Sequence, residues 1–267
     1  MSWSERQQAM LEAMGLRVWT APPVPDPEPL APEPVLAKVE APAPVRVASV
    51  LPQVVVPAQP TSAELPRTPA AVAGAVDAMD WTQLREAVAG CRACGLCEGR
   101  KHTVFGVGHE RAHWMVVGEA PGEQEDLQGE PFVGQAGKLL DSMLRAIGLT
   151  RADGPPEKQV FIANTLKCRP PRNRNPEPEE LAQCEPYLNR QIALVQPRII
   201  LAMGRFAVQS LLRSAEPIGR LRGRVHEYQG VPLIVTYHPA YLLRNLVDKA
   251  RAWEDLCLAM DVLQRKT

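Results

Sequence analysis

Between residues 21 and 75 the chain has no aromatic residue, and over its whole length Phe, Trp and Tyr make up only 5%. A segment without large rings buries too little apolar surface to offset its ordering entropy. Prolines at 22, 23, 25, 27, 29, 32, 34, 42 and 44 also remove amide donors and push their predecessors out of helical backbone. The expectation for 21–79 is therefore a disordered, extended Pro/Ala-rich linker. Long apolar runs are missing too. The stretch Val45–Val56 is broken by Pro52 and flanked by Pro44 and Pro57, so no membrane span is expected. Ser2-Trp3-Ser4-Glu5-Arg6 lacks the basic-then-apolar order of a secretory signal, which points to a cytoplasmic protein. Net charge is zero, but residues 1–80 carry 5 basic and 9 acidic side chains against 25 and 21 in the remainder. An acidic arm on a mildly basic domain is compatible with nucleic-acid binding and equally with ordinary solvated surface.

What is present begins with cysteine. Cys91 and Cys94 form a C-x2-C pair, and Cys168 and Cys184 follow with fifteen residues between them. In a reducing compartment disulfides are a poor explanation. A close pair plus two distant thiols is what one metal or cluster site needs, because the pair chelates one side and the others arrive from elsewhere in the fold. Cys97 extends the pair to C-x2-C-x2-C, a run that invites a ferredoxin reading, and Cys257 lies among leucines of the last helix and reads as core.

Two regions flank the linker. In residues 1–20, Ser4 can cap a helix, Met10, Leu11 and Met14 fall at helical spacing, and Gly15 can stop it. That island is either a fraying helix or a docking peptide on a tether. Leu11, Met14, Gly15, Leu16 and Trp19 resemble the L-x-x-L-G-I-x-x-W peptide of the bacterial clamp-loader psi subunit, which implies a replisome or clamp-loader partner for residues 4–19. Residues 80–267 read as a compact α/β domain. Strands are expected at 113–118, 159–164, 198–203, 224–228 and 231–236, and helices at 81–89, 136–147, 178–195, 204–212 and about 248–265. Such alternation predicts a doubly wound, mostly parallel sheet flanked by helices, with ligands at the carboxyl ends of the strands.

Four segments follow those strand ends: Gly118-Glu119-Ala120-Pro121-Gly122 with Gly129 to Gly134, Asn164 to Pro171, Met203-Gly204-Arg205, and Thr236-Tyr237-His238-Pro239 to Asn245. Each alone is a weak signal. Interleaved with the four cysteines, they make residues 91–264 resemble a family-4 uracil-DNA glycosylase, the iron–sulfur class of the uracil-DNA glycosylase superfamily. The resemblance implies a repair enzyme that hydrolyses the N-glycosidic bond of uracil in DNA and leaves an abasic site. It implies a [4Fe–4S] cluster on Cys91, Cys94, Cys168 and Cys184, with Cys97 a bystander or spare ligand and zinc on the same thiolates as the alternative. It implies uracil-containing DNA as partner and a monomeric chain.

The residue types suit those roles. A flipped base needs a flat pocket, for which Phe132 offers a ring face in a loop expected to be exposed. Asn164 pairs with uracil N3–H and O4 and rejects the amine of cytosine. Ala120 and its neighbours supply backbone amides. His238 donates to the uracil O2 as charge develops there, either as a neutral or a charged imidazole. The aspartate of the sister motif G-Q-D-P-Y is absent, so Glu119 and Glu125 are the candidates to orient water or stabilise the cationic sugar, or else merely order the loop. Leu242 is the preferred minor-groove wedge, Leu243 the next, with a helical turn packing inward as the bland reading. Arg244 and the runs Lys167/Arg169/Arg172/Arg174 and Arg220/Arg222/Arg224 are candidate phosphate contacts. A rival reading is a non-catalytic replication-associated nucleic-acid-binding module on the same fold. A covalent uracil-trapping subclass is disfavoured because no histidine stands between Lys167 and Cys184.

Overall fold

The computed structural model describes residues 76–265. The expected docking helix in 4–19 and the linker to residue 75 lie outside the described residues. The domain reaches four residues further back than the expected boundary at 80. Val76 is buried in the core and the Met79 carbonyl accepts from Arg190 Nε at 2.6 Å. Both are apolar residues that find a seat, so they fold with the domain and not with the linker.

Helix α1 (Trp81–Ala89) starts where Asp80 caps it: Gln83 N donates to the carboxylate and the Gln83 side chain accepts from Asp80 N. The short α2 (Leu96–Gly99) follows the first cysteines. A six-stranded sheet then runs through β1 (Val107–Gly108), β2 (Trp114–Gly118), β3 (Val160–Asn164), β4 (Ile199–Met203), β5 (Val225–Tyr228) and β6 (Val231–Thr236). Its order is β1-β3-β2-β4-β6-β5. The inner four strands are parallel and the two edges antiparallel. The remaining helices are α3 (Glu123–Gln128), α4 (Gln135–Ala146), α5 (Pro178–Val195), α6 (Arg205–Leu212), α7 (Ile218–Leu221), α8 (Pro239–Leu242) and α9 (Asp248–Arg265).

Both faces of the sheet are covered, as parallel strands require. Met115 and Val117 point into a core with α1, α5 and α6, while Trp114 and Val116 point into a second core with α4 and α9. Because the inner four strands run parallel, their carboxyl ends reach the same edge. β3 lies on one side of β2, and β4 and β6 on the other, so the winding direction reverses between β2 and β4. A crevice opens at such a reversal, outside the carboxyl ends of the strands. Among the described residues no helix is long and apolar enough to cross a membrane.

Candidate active site

The loops after β2, β3, β4 and β6 enclose a cavity of about 900 Å³ at that reversal. Glu119, Ala120, Glu125, Phe132, Asn164, His238 and Arg244, all singled out from the sequence, line it. The pairing of β2 with β3 continues past the strands, with Thr165 N donating to Gly118 O and Leu166 N to Glu119 O. Asn164 is thereby held opposite Gly118. Its side chain is buried, and its Oδ1 has no hydrogen-bond partner. A buried amide oxygen without a donor is costly unless a ligand supplies one.

Phe132 departs from expectation. It is not an exposed loop residue but 5% exposed, with its ring stacked on the His238 imidazole at a centroid separation of 5.3 Å. Its backbone sits at φ 56°, a left-handed conformation that a bulky residue rarely adopts. The surroundings impose it. Arg151 donates to the Pro131 and Phe132 carbonyls, and Gly137 of α4 lets the Phe132 carbonyl come where any Cβ would lie at 1.7 Å. The ring edge also borders Gly118, whose Cβ would fall 2.4 Å from Asn164 Oδ1 and 2.6 Å from Phe132 Cζ. Gly118→Ala is therefore expected to push both side chains aside and lower kcat/KM on uracil-containing DNA by roughly 10²-fold, as small misplacements do. Steady-state kinetics with an unchanged melting temperature would separate this from unfolding.

His238 caps α8. Its Nδ1 accepts from Ala240 N at 3.2 Å, which leaves the ring proton on Nε2. Burial pulls its pKa down to about 4, the Glu125 carboxylate offsets part of this, and Arg244 adds to it. Of the two states left open by the sequence, the neutral Nε2–H donor is the one built here.

Both glutamates order backbone. Glu125 accepts from Gly122 N at 3.1 Å, Val133 N at 3.0 Å and Gly134 N at 3.1 Å, tying the loop after β2 to the loop that carries Phe132. Glu119 accepts from Phe206 N at 3.2 Å at the start of α6, where burial pushes its carboxyl pKa up and the Phe206 and Arg205 amides pull it back. Gly204, at φ 95°, is needed for this, since a Cβ would lie 2.4 Å from Glu119 Oε1. Two carboxylates are thus fixed on the cavity wall.

The wedge assignment is corrected. Leu242 is 1% exposed, so it is the inward turn of α8, whereas Leu243 is 41% exposed beside the exposed Leu246 and Val247. Helical spacing explains the swap: Pro239 and Leu242, three apart, share the buried face and Leu243 turns outward. The basic runs are also sorted. Lys167 is fully buried, Arg174 is paired with Glu180, and Arg222 with Asp255 and Glu254. Arg172, Arg220, Arg224 and Arg244 remain exposed.

Cys91, Cys94, Cys97, Cys168 and Cys184 line one small pocket behind the loop after β3. None of them is in a disulfide. Arg100 Nη1 donates to Cys168 Sγ at 3.1 Å, and Lys167 N donates to Cys184 Sγ at 3.3 Å. Burial pushes the Cys184 thiol up to about 12. It pulls the Lys167 ammonium down to about 8, against the charges of Cys184 and Cys168. A buried ammonium beside two neutral thiols is unfavourable, but beside metal-bound thiolates it is paired. The donor set fits a thiolate-ligated group.

Sequence reasoning missed Tyr237 and Tyr241, whose rings stack at 5.1 Å on the cavity rim. A signal existed: in a chain with four tyrosines, two flank His238. It also missed Gln191, which reaches Lys167 from α5 at 2.7 Å, and for which the sequence carries no signal.

Comparison with known proteins agrees with this geometry. The model of the uracil DNA glycosylase superfamily matches residues 105–257. A type-4 uracil-DNA glycosylase of Archaeoglobus fulgidus is 47% identical over 161 residues, covering 57% of this chain and 78% of its own. Others come from Pyrobaculum aerophilum, 42% identical over 67% of this chain and 93% of its own, and Thermotoga maritima, 41% identical over 62% and 84%. A convergence of the expected residues at the sheet's reversal, a family match over more than half the chain and relatives at these identities place the chain in the uracil-DNA glycosylase superfamily, among its type-4 members.

Proposed function

We propose that the protein excises uracil from DNA by hydrolysing the N-glycosidic bond, leaving an abasic site for base excision repair. The observation that carries this reading is the convergence, in one cavity, of an unpaired buried Asn164 Oδ1, the Phe132 ring and a neutral His238 Nε2–H donor. The target nucleotide leaves the stack to enter the cavity. Uracil N3–H supplies the donor that Asn164 Oδ1 lacks, and the Asn164 amide donates to O4. Cytosine has no proton at N3 and an amine at C4, so both contacts fail, which gives strong discrimination.

As the glycosidic bond lengthens, negative charge grows on uracil O2 and positive charge on the sugar. His238 Nε2–H donates to O2 without any proton having to move first. Glu119 and Glu125 are anchored by backbone amides. They bring fixed negative charge to the sugar side, and either orients the incoming water. Leu243, with Leu246 and Val247 behind it, fills the gap left by the flipped nucleotide. Leu243→Ala is expected to slow excision from double-stranded DNA more than from single strands, while Leu242→Ala costs about 2–5 kcal/mol of stability as a core cavity. Urea unfolding of both variants checks the division.

The four expected ligands Cys91, Cys94, Cys168 and Cys184 would hold a [4Fe–4S] cluster, which supplies no redox step and fixes the loop between Asn164 and α5. Zinc on the same four thiolates is the alternative. Incubating the chain with an oligonucleotide containing uracil, with Asn164→Ala beside it, tests the reading. Wild type should release uracil and not cytosine or thymine, and the variant should lose most of that rate.

A further inference from the structure

The Lys167 side chain is fully buried and lies between the uracil-reading residue and the thiol pocket. Its Nζ donates to the backbone carbonyl of Asn164 at 2.7 Å and to Gln191 Oε1 at 2.7 Å. Gln191 in turn donates from Nε2 to the Phe105 carbonyl at 2.8 Å. The Lys167 backbone amide meanwhile points at Cys184 Sγ, and its carbonyl accepts from Val104 N at 2.8 Å. One residue thus closes the turn after β3 from the inside and touches the thiol pocket from its main chain.

Both acceptors of the ammonium are neutral, so its charge is balanced by neither. An apolar side chain would fill the same space at lower desolvation cost. What the ammonium supplies in return is a donor bond to the Asn164 carbonyl from the residue next to Cys168. We propose that Lys167 is a positioning residue for uracil recognition. It ties the Asn164 backbone to Gln191 of α5 from its side chain and to Cys184 from its main chain, which sets the pairing amide, and this role rests on the glycosylase reading above.

The test compares wild type, Lys167→Met and Lys167→Gln, purified with iron content and visible absorption recorded. Free uracil binding is followed by ligand-observed NMR, and binding to a uracil-free single-stranded oligonucleotide serves as control. Lys167→Met should keep its iron and its oligonucleotide affinity while free uracil binds at least roughly tenfold more weakly, the loss of about 1.4 kcal/mol. Lys167→Gln, which keeps an N–H donor, should fall between the two, and it carries the test alone if the methionine chain does not fold. On excision the defect should appear in KM and kcat together. Iron-loaded Lys167 variants that bind uracil like wild type overturn the proposal. So does loss of iron in the variants, which would make Lys167 a support of the thiol pocket alone. A wild-type chain that releases no uracil contradicts the glycosylase reading instead, and is distinguished by that control.

Discussion

Alanine at His238 is expected to slow uracil release from single-stranded DNA on the order of 10²–10³-fold, the usual effect of deleting one oxyanion donor. Substrate affinity should change far less, because the bond to O2 strengthens only as charge develops. The accompanying pH behaviour is specific. The imidazole pKa lies near 4, lowered from 6.5 first by burial. The neutral ring is therefore the working form throughout the neutral range, and single-turnover rates should show no histidine inflection between about pH 5 and 8. The sign for stability follows from the same shift. The unfolded chain takes up this proton first as the pH falls through 6.5, so the stability tied to the neutral ring is present above 6.5 and is lost toward pH 4. A rate profile rising through pH 6.5 with the ring's charge would contradict the assignment.

Removing one of the four proposed cysteine ligands should have an effect at least as large. Cys184 reaches the pocket from α5, whereas Cys91 and Cys94 come from the segment after α1 and Cys168 from the loop after β3. Cys184→Ala therefore unties three segments at once. The purified variant should carry little iron, melt about 10 °C lower, the equivalent of a few kcal/mol in a domain of this size, and release uracil at background rate. Cys97→Ser is the control. Cys97 lines the same pocket but stands outside the four expected ligands, so the variant's iron content and melting temperature should stay near wild type. Iron analysis and calorimetry check both. A Cys184 variant with full iron would remove Cys184 from the ligand set.

The sheet and its long helices were legible because their signals are local. The Trp114–Val117 run alternates between two cores, and the ends of α5 and α9 fall where Pro178, Val195, Asp248 and Arg265 place them. The cavity-lining residues were legible as motifs at strand ends. What escaped was the orientation of single side chains, which depends on partners distant in sequence. Phe132 is buried because Arg151 and Gly137 draw its backbone inward. Leu242 and Leu243 are chemically identical, and only the short turn of α8 decides which faces the core. Lys167 sits in a basic run and reads as a phosphate contact until Gln191 and Cys184 arrive from α5 to enclose it.

The central claim is that this cavity breaks a glycosidic bond and does not merely hold DNA. The most direct measurement incubates the full-length protein with a single-stranded oligonucleotide bearing one uracil, then separates free base from DNA and treats the strand with alkali. Stoichiometric free uracil and an alkali-labile site at that position are expected, both forming on the order of 10²–10³-fold more slowly with His238→Ala. Tight binding of the strand with no base released would contradict it and leave a non-catalytic nucleic-acid-binding module on the same sheet.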